Sequence, residues 1–154
     1  MNPEPSKALL AVNLIVQQQK EVLLILRQNT GYADGLYSLP GGRVDAGESL
    51  TKAIIREAQE EIGIELCLAD LSFFMLMQAP MAGHNIYDNV LHAFFLTHSW
   101  SGNIVNNEPH KCRKVRFFRL GQLPAHMTYY SRKVLYHLAN PTQKPMYTHV
   151  KRVV

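Results

Sequence analysis

The chain has little of what marks secreted, redox or membrane proteins. Two cysteines, Cys67 and Cys112, occur in 154 residues and form no C-x-x-C pair, so neither a disulfide framework nor a redox motif is expected. His110-x-Cys112 is not a zinc spacing, and His84, His92, His98 and His110 are spread out, which suits packing or surface positions. No apolar run approaches the ~18 residues of a transmembrane helix. The N-terminal MNPEPSK lacks a charged-then-apolar leader, so a cytoplasmic protein with no membrane partner is expected. No phosphate-binding P-loop, dinucleotide fingerprint, internal repeat or linker is present, which leaves a single domain over residues 1–154. A strong charge of one sign is also missing. The net charge is +4 and the pI about 9.1, with the basic residues scattered, which favours small anionic ligands over a stable nucleic-acid partner.

What is present reads as alternating sheet and helix segments. ALLAVNLIV (residues 8–16), a polar QQQK turn and EVLLIL (residues 21–26) predict a β-hairpin buried on at least one face. Arg27 opens a loop rich in Gly, Asn and Asp that runs to Gly41–Gly42. Residues 65–77 read as one strand with Phe73, Phe74, Leu76 and Met77 as core candidates. Residues 78–89 read as loop, 90–97 as strand, 100–107 as loop and 115–120 as strand. Residues 129–139 form a second helix with Val134, Leu135 and Leu138 apolar, and the tail either frays or pairs as a late strand. In the pairs Phe73–Phe74, Phe94–Phe95 and Phe117–Phe118, strand alternation sends the two rings to opposite faces.

The chemistry concentrates in GGRVDAGESLTKAIIREAQEEIGI, from Gly41 to Ile64. A helix starting near Ser49 puts Glu57, Glu60 and Glu61 at i, i+3 and i+4 on one face. Ile54, Ala58 and Ile62, with Ile55 alongside, make the neighbouring apolar stripe, and Gly63 suits the left-handed residue that ends a helix. Carboxylates so close repel one another unless a cation neutralises them. Hard divalent ions such as Mg²⁺ prefer oxygen ligands and bridge to phosphates. The stretch therefore reads as a loop–helix device for holding metal against a phosphorylated substrate.

The full spacing fills every specified position of G-x5-E-x7-R-E-U-x-E-E-x-G-U, with U apolar, at Gly42, Glu48, Arg56, Glu57, Ala58, Glu60, Glu61, Gly63 and Ile64. Seven fixed residues at roughly one in fifteen each make chance on the order of 10⁻⁸ per window, which sets aside a merely solvated Glu-rich helix. The stretch is the Nudix box, and the chain resembles the Nudix hydrolases, within them the MutT-like branch. The resemblance implies an α+β fold, an α/β/α sandwich with a mixed sheet between helices. It implies Mg²⁺ as cofactor, with Mn²⁺ an acceptable substitute. Glu57 and Glu61 are then core metal ligands, Glu60 binds or orients a further ion, and the Gly41 carbonyl joins the shell. Glu48 orders the box and contributes to the metal set. Arg56, through its planar fork, orients a neighbouring carboxylate. Arg27 and Gly42 are expected on the substrate side. Nudix enzymes often recruit their general base from a distant loop, and Glu108, ahead of the VRFF strand, is the candidate, with Glu60 or Glu61 as alternatives.

The box implies hydrolysis of a nucleoside diphosphate linked to a further group, which residues outside it choose. No NADH-type SQPWPFP run, coenzyme A signature or diadenosine-polyphosphate tyrosine is present. Pro80 lies sixteen residues beyond Ile64, where ADP-ribose hydrolases carry a proline, but it lacks the flanking glycine. Length, the YSLPGG stretch and the Glu108–Pro109 loop point to the triphosphate branch, with a nucleoside triphosphate, oxidised or not, giving monophosphate and pyrophosphate. ADP-ribose or a nucleotide sugar is the alternative substrate. A non-catalytic nucleotide- or RNA-binding module is the alternative class, disfavoured because all box acids are kept. Decapping of messenger RNA would call for basic extensions. Dimerisation is left open.

Overall fold

The structure, a computed structural model, describes residues 3–80, 89–143 and 145–150. Among these, eight strands and two α-helices form a mixed sheet with one helix on each face. The strands are β1 (Ala8–Gln18), β2 (Glu21–Arg27), β3 (Tyr37–Ser38), β4 (Gly41–Arg43), β5 (Ser72–Pro80), β6 (Asn89–Thr97), β7 (Cys112–Arg119) and β8 (Tyr147–His149). The helices are α1 (Leu50–Ile62) and α2 (Tyr129–Ala139).

β1 is the spine. Residues from Ala8 to Val16 pair in parallel with β6, Ala11–Asn13 pair antiparallel with β4, and the last two residues turn into β2. β2 continues to β3 and β7, while β6 continues to β5 and β8. The near-continuous apolar run of β1 follows from burial on both faces, the pattern of strands covered by helices on either side. Val12, Leu14 and Val16 point to the α1 side with Ile54, Ala58 and Ile62, whereas Ile15 points to the α2 side with Val134 and Leu135. The phenylalanine pairs divide in the same way. Phe95 and Phe117 join the α1 core, and Phe94 and Phe118 join the α2 core.

Several boundaries differ from the sequence expectation. Residues 65–77 are not one strand. Leu68–Asp70 form a 3₁₀ turn because the Asp70 carboxylate accepts from the Cys67 N–H (2.8 Å), a local bond that competes with strand pairing. Phe73 is 45% exposed rather than core. The register against β6 shifts between Phe73 and Met75, a bulge that turns Phe74 and Met75 into the α2 core together. β7 begins at Cys112, three residues earlier than the apolar VRFF suggests, since its outer positions are cationic and face solvent. The tail pairs as β8, parallel to β5. The loop expected over 78–89 falls partly in the strand ends of β5 and β6, and residues 81–88, His84 among them, lie outside the described residues.

Candidate active site

Helix α1 is fixed at both ends by residues of the motif. Ser49 caps it, its hydroxyl accepting from the Lys52 N–H at 3.2 Å, and Gly63 closes it with φ +71°. The carbonyls left over at the C-terminus are then taken up by the loop after Gly102. Asn107 Nδ2 donates to the Gln59 carbonyl (3.0 Å), the Val105 N–H to Ile62 (3.0 Å) and the Asn107 N–H to Glu61 (3.1 Å). This loop carries Glu108, so the distant acid is tied directly to the end of the acidic helix. A side chain at position 63 would meet Val105 at 2.6 Å, which explains the glycine there.

The three helix acids do not behave alike. Arg56 spreads its guanidinium across most of the motif. Nε and Nη2 donate to the two Glu48 oxygens (3.0 Å each), Nη1 donates to Glu57 Oε1 (2.9 Å) and Glu60 Oε2 (3.1 Å), and Nη2 also reaches the Arg43 carbonyl (3.1 Å). This is the bidentate fork expected of Arg56, and it makes the residue a hub rather than a surface pair. It holds Glu48 below the usual carboxylate range. Glu60 stays 51% exposed at the rim and Glu57 is 13% exposed. Glu57 is nonetheless raised above the usual range, because burial outweighs the help from Arg56. Glu61 turns inward, its Oε2 accepting the Gly41 N–H at 2.7 Å, and burial pushes its carboxyl up to about 8, with Glu57 and Glu108 adding repulsion.

The two glycines ahead of the helix make room for this set. Gly41 has φ +146°, and a Cβ there would run into the Val12 carbonyl across the β1–β4 pair. A Cβ at Gly42 would occupy the place of the Glu57 carboxylate. Across the cleft Glu108 is paired with Lys111 Nζ (2.7 Å), and its backbone carbonyl accepts from the Lys111 and Cys112 N–H groups. Glu57, Glu60, Glu61, Glu108, Arg56, Lys111 and Arg27 line one cleft of about 310 Å³. Arg27 is at its edge, where Nε donates to the Tyr32 carbonyl (3.0 Å) and Nη2 to Thr30 Oγ1 (3.1 Å), so it shapes the 28–35 loop as well as facing the cleft.

The donor set fits a divalent cation. All the donors are oxygens, the choice of hard ions. Glu61 is a buried carboxylate with a backbone N–H as its hydrogen-bond partner and two further acids facing it. As they stand, no three His, Cys, Asp or Glu side chains among the described residues form a ready ion cage, and Arg56 is what holds Glu57 and Glu60.

A second chamber, of about 900 Å³, opens from the cleft and shares Arg27, Thr30, Gly41, Gly42 and Arg43 with it. Its other walls come from β1, the β5 and β6 ends and the start of α2, and Pro80 is among them. His92 lines it, buried rather than idle at the surface. Strand alternation alone gave no reason to single this residue out, and its partners Asn13 and Tyr130 are remote in sequence. His98 and His110 are exposed.

A mixed sheet between helices, with a capped acidic helix set against a chamber, is the α+β fold of the MutT structures. The chain belongs to the Nudix hydrolase family, since the NUDIX domain model matches residues 7–138. Members of this family generally use a divalent metal. Among solved structures, a MutT NUDIX hydrolase from Burkholderia pseudomallei superposes with a TM-score of 0.77 at 26% identity, over 85% of this chain and 98% of that one. A MutT protein from Methanosarcina mazei gives 0.72 at 19% identity, over 92% of this chain and all of that one, a likeness of fold. Among curated relatives, an ADP-ribose pyrophosphatase of Methanocaldococcus jannaschii is 41% identical over 54 residues, 35% of this chain and 31% of that protein. An 8-oxo-dGTP diphosphatase of Proteus vulgaris is 26% identical over 106 residues, 68% of this chain and 88% of that protein. The chain thus spans about a third of the first of these relatives and most of the second. No helix among the described residues is long and apolar enough to cross a membrane.

Proposed function

We propose that this chain is a Mg²⁺-dependent pyrophosphohydrolase that splits a nucleoside triphosphate, oxidised forms among them, into monophosphate and pyrophosphate. The observation that carries this reading is the continuity of the acidic cleft with the larger chamber. A phosphate chain at Glu57 and Glu61 has a roomy, largely apolar space beside it for the nucleoside.

In this mechanism Glu57, Glu60 and Glu61 are the residues that would hold the ion, and the Gly41 carbonyl would add a further oxygen. When bound, the ion neutralises phosphate charge and lowers the pKa of water in the site. Arg56 fixes the rotamers of Glu48, Glu57 and Glu60, so the acids are oriented before substrate arrives. Glu48 braces that fork. Glu108, paired with Lys111 Nζ at 2.7 Å, takes the proton from the attacking water. Arg27 orders the 28–35 loop at the junction of cleft and chamber, and Gly42 leaves the approach to Glu57 open. The substrate is a small nucleotide, handled without a membrane or a stable nucleic-acid partner, in keeping with a cytoplasmic enzyme.

Pro80 on the chamber wall, together with the relative named an ADP-ribose pyrophosphatase, favours ADP-ribose as the second reading. The test is release of phosphate and pyrophosphate with Mg²⁺, then Mn²⁺, over nucleoside triphosphates, an oxidised triphosphate, ADP-ribose, a nucleotide sugar and a diadenosine polyphosphate. Pyrophosphate with monophosphate from a triphosphate is the expected result. A clear preference for ADP-ribose overturns the triphosphate reading in favour of the second.

A further inference from the structure

The α2 face of the sheet is apolar apart from a few buried polar groups, and two of them face the chamber. Asn13, on β1, is 4% exposed and His92, on β6, is 8% exposed. Asn13 Nδ2 lies 3.2 Å from His92 Nδ1. An amide nitrogen only donates, so Nδ1 is the acceptor and the neutral ring carries its proton on Nε2. The ring lies nearly flat against Tyr130 of α2, with centroids 4.4 Å apart and planes 20° off parallel. Among the described residues the imidazole has no other hydrogen-bond partner, and its second nitrogen is not sealed from solvent, so its hydrogen is free to meet a molecule in the chamber that His92 lines.

We propose that Asn13, His92 and Tyr130 form the wall that reads the base, and that it selects a keto-bearing base over an amino-bearing one. This rests on the nucleotide reading above and extends it to the identity of the nucleoside. Tyr130 locks the imidazole plane, Asn13 sets its tautomer, and the Nε2–H is then a fixed donor toward the chamber. A 6-oxopurine or 4-oxopyrimidine offers that donor an oxygen. A 6-aminopurine or 4-aminopyrimidine sets a donor against that donor instead, so the contact is lost. The volume of about 900 Å³ admits a purine, so the 6-oxopurine is the preferred member of the class.

The experiment compares the wild-type protein with His92→Phe, which keeps an aromatic ring against Tyr130 and removes the donor, and with Asn13→Leu/His92→Phe, which removes both polar partners. The kcat/KM ratio of inosine to adenosine triphosphate is measured on each. In parallel, calorimetry gives the Kd ratio of the two monophosphates, which needs no turnover. For the wild type a preference for inosine on the order of tenfold or more is expected, falling toward unity in both variants through KM and Kd rather than kcat. A wild-type ratio near one, or a ratio unchanged in variants that melt cooperatively, overturns the proposal and leaves the hydrolase reading standing. Absence of triphosphate turnover by the wild type counts against that reading alone, and the monophosphate Kd ratio then decides the subsite. The double variant guards against misfolding, because it leaves no buried amide without a partner.

Discussion

Helix α1 carries its chemistry within its own turns, whereas the opposite face of the sheet builds a chamber from pieces scattered along the chain. On the α1 side Glu48, Arg56, Glu57, Glu60 and Glu61 lie within fourteen positions and are drawn together by one guanidinium. On the α2 side Asn13, His92 and Tyr130 meet only because β1 and β6 pair in parallel and α2 packs back over them. The contrast separates two kinds of machinery. One is a charged device set by local spacing, and the other is a mostly apolar recess set by topology.

The comparison can be broken at the charged side first, where the largest effect is expected. Glu57→Gln removes a carboxylate that Arg56 orients and that the proposed mechanism gives to the ion, and kcat should fall by roughly 10³-fold or more with cooperative unfolding preserved. Wild-type turnover in that variant would remove Glu57 from the metal set. Glu108→Gln should cost less, about 10²-fold in kcat, because water can still lose its proton elsewhere. A pH–rate profile that keeps its acidic limb in this variant would pass the role of base to Glu60 or Glu61.

The chamber side is sharpened by stability rather than turnover. Burial holds the folded His92 imidazole down at about 4, below the ordinary 6.5. Between those values the unfolded chain binds the extra proton, so this contribution is whole above about pH 6.5 and is lost as the pH falls toward 4. At about 1.4 kcal/mol per unit, the loss is at most about 3.5 kcal/mol. Urea unfolding at pH 7 and pH 4.5 measures it, and in His92→Phe that part of the slope should vanish. The smallest effect is at the helix start, where Ser49→Ala should lower stability by about 1 kcal/mol through the lost cap, with kcat almost unchanged.

These differences track what could be read from the chain. Ser49 and Gly63 bounded α1 because caps are local chemistry, and Val134 and Leu135 marked α2 by their helical period. The hairpin of β1 and β2 was visible for the same reason. Phe73 was misjudged, since a bulge against β6 is a property of two strands and leaves no mark in one. β7 began earlier than its apolar centre suggested, because its exposed positions are cationic and carry no periodic signal. Glu108 could be nominated from its loop, but its anchoring by Asn107 to the end of α1 required knowing that the loop folds back. His92 was one histidine among several, and its meaning comes from a partner 79 positions away.

The pairing of β4 with β1 has one more consequence. Gly41 lies opposite Asn13 in that ladder, next to the bond from the Leu14 N–H to the Pro40 carbonyl (2.8 Å), so the backbone that receives Glu61 and the residue that steadies His92 sit face to face on neighbouring strands. The protein thereby owns a rigid gauge. One jaw is the acid cluster, the other is the aromatic wall, and a stretch of sheet fixes the gap between them. On the proposed reading, a ligand that touches both jaws would be selected by length as well as by chemistry, because a linker too short or too long could not reach both at once.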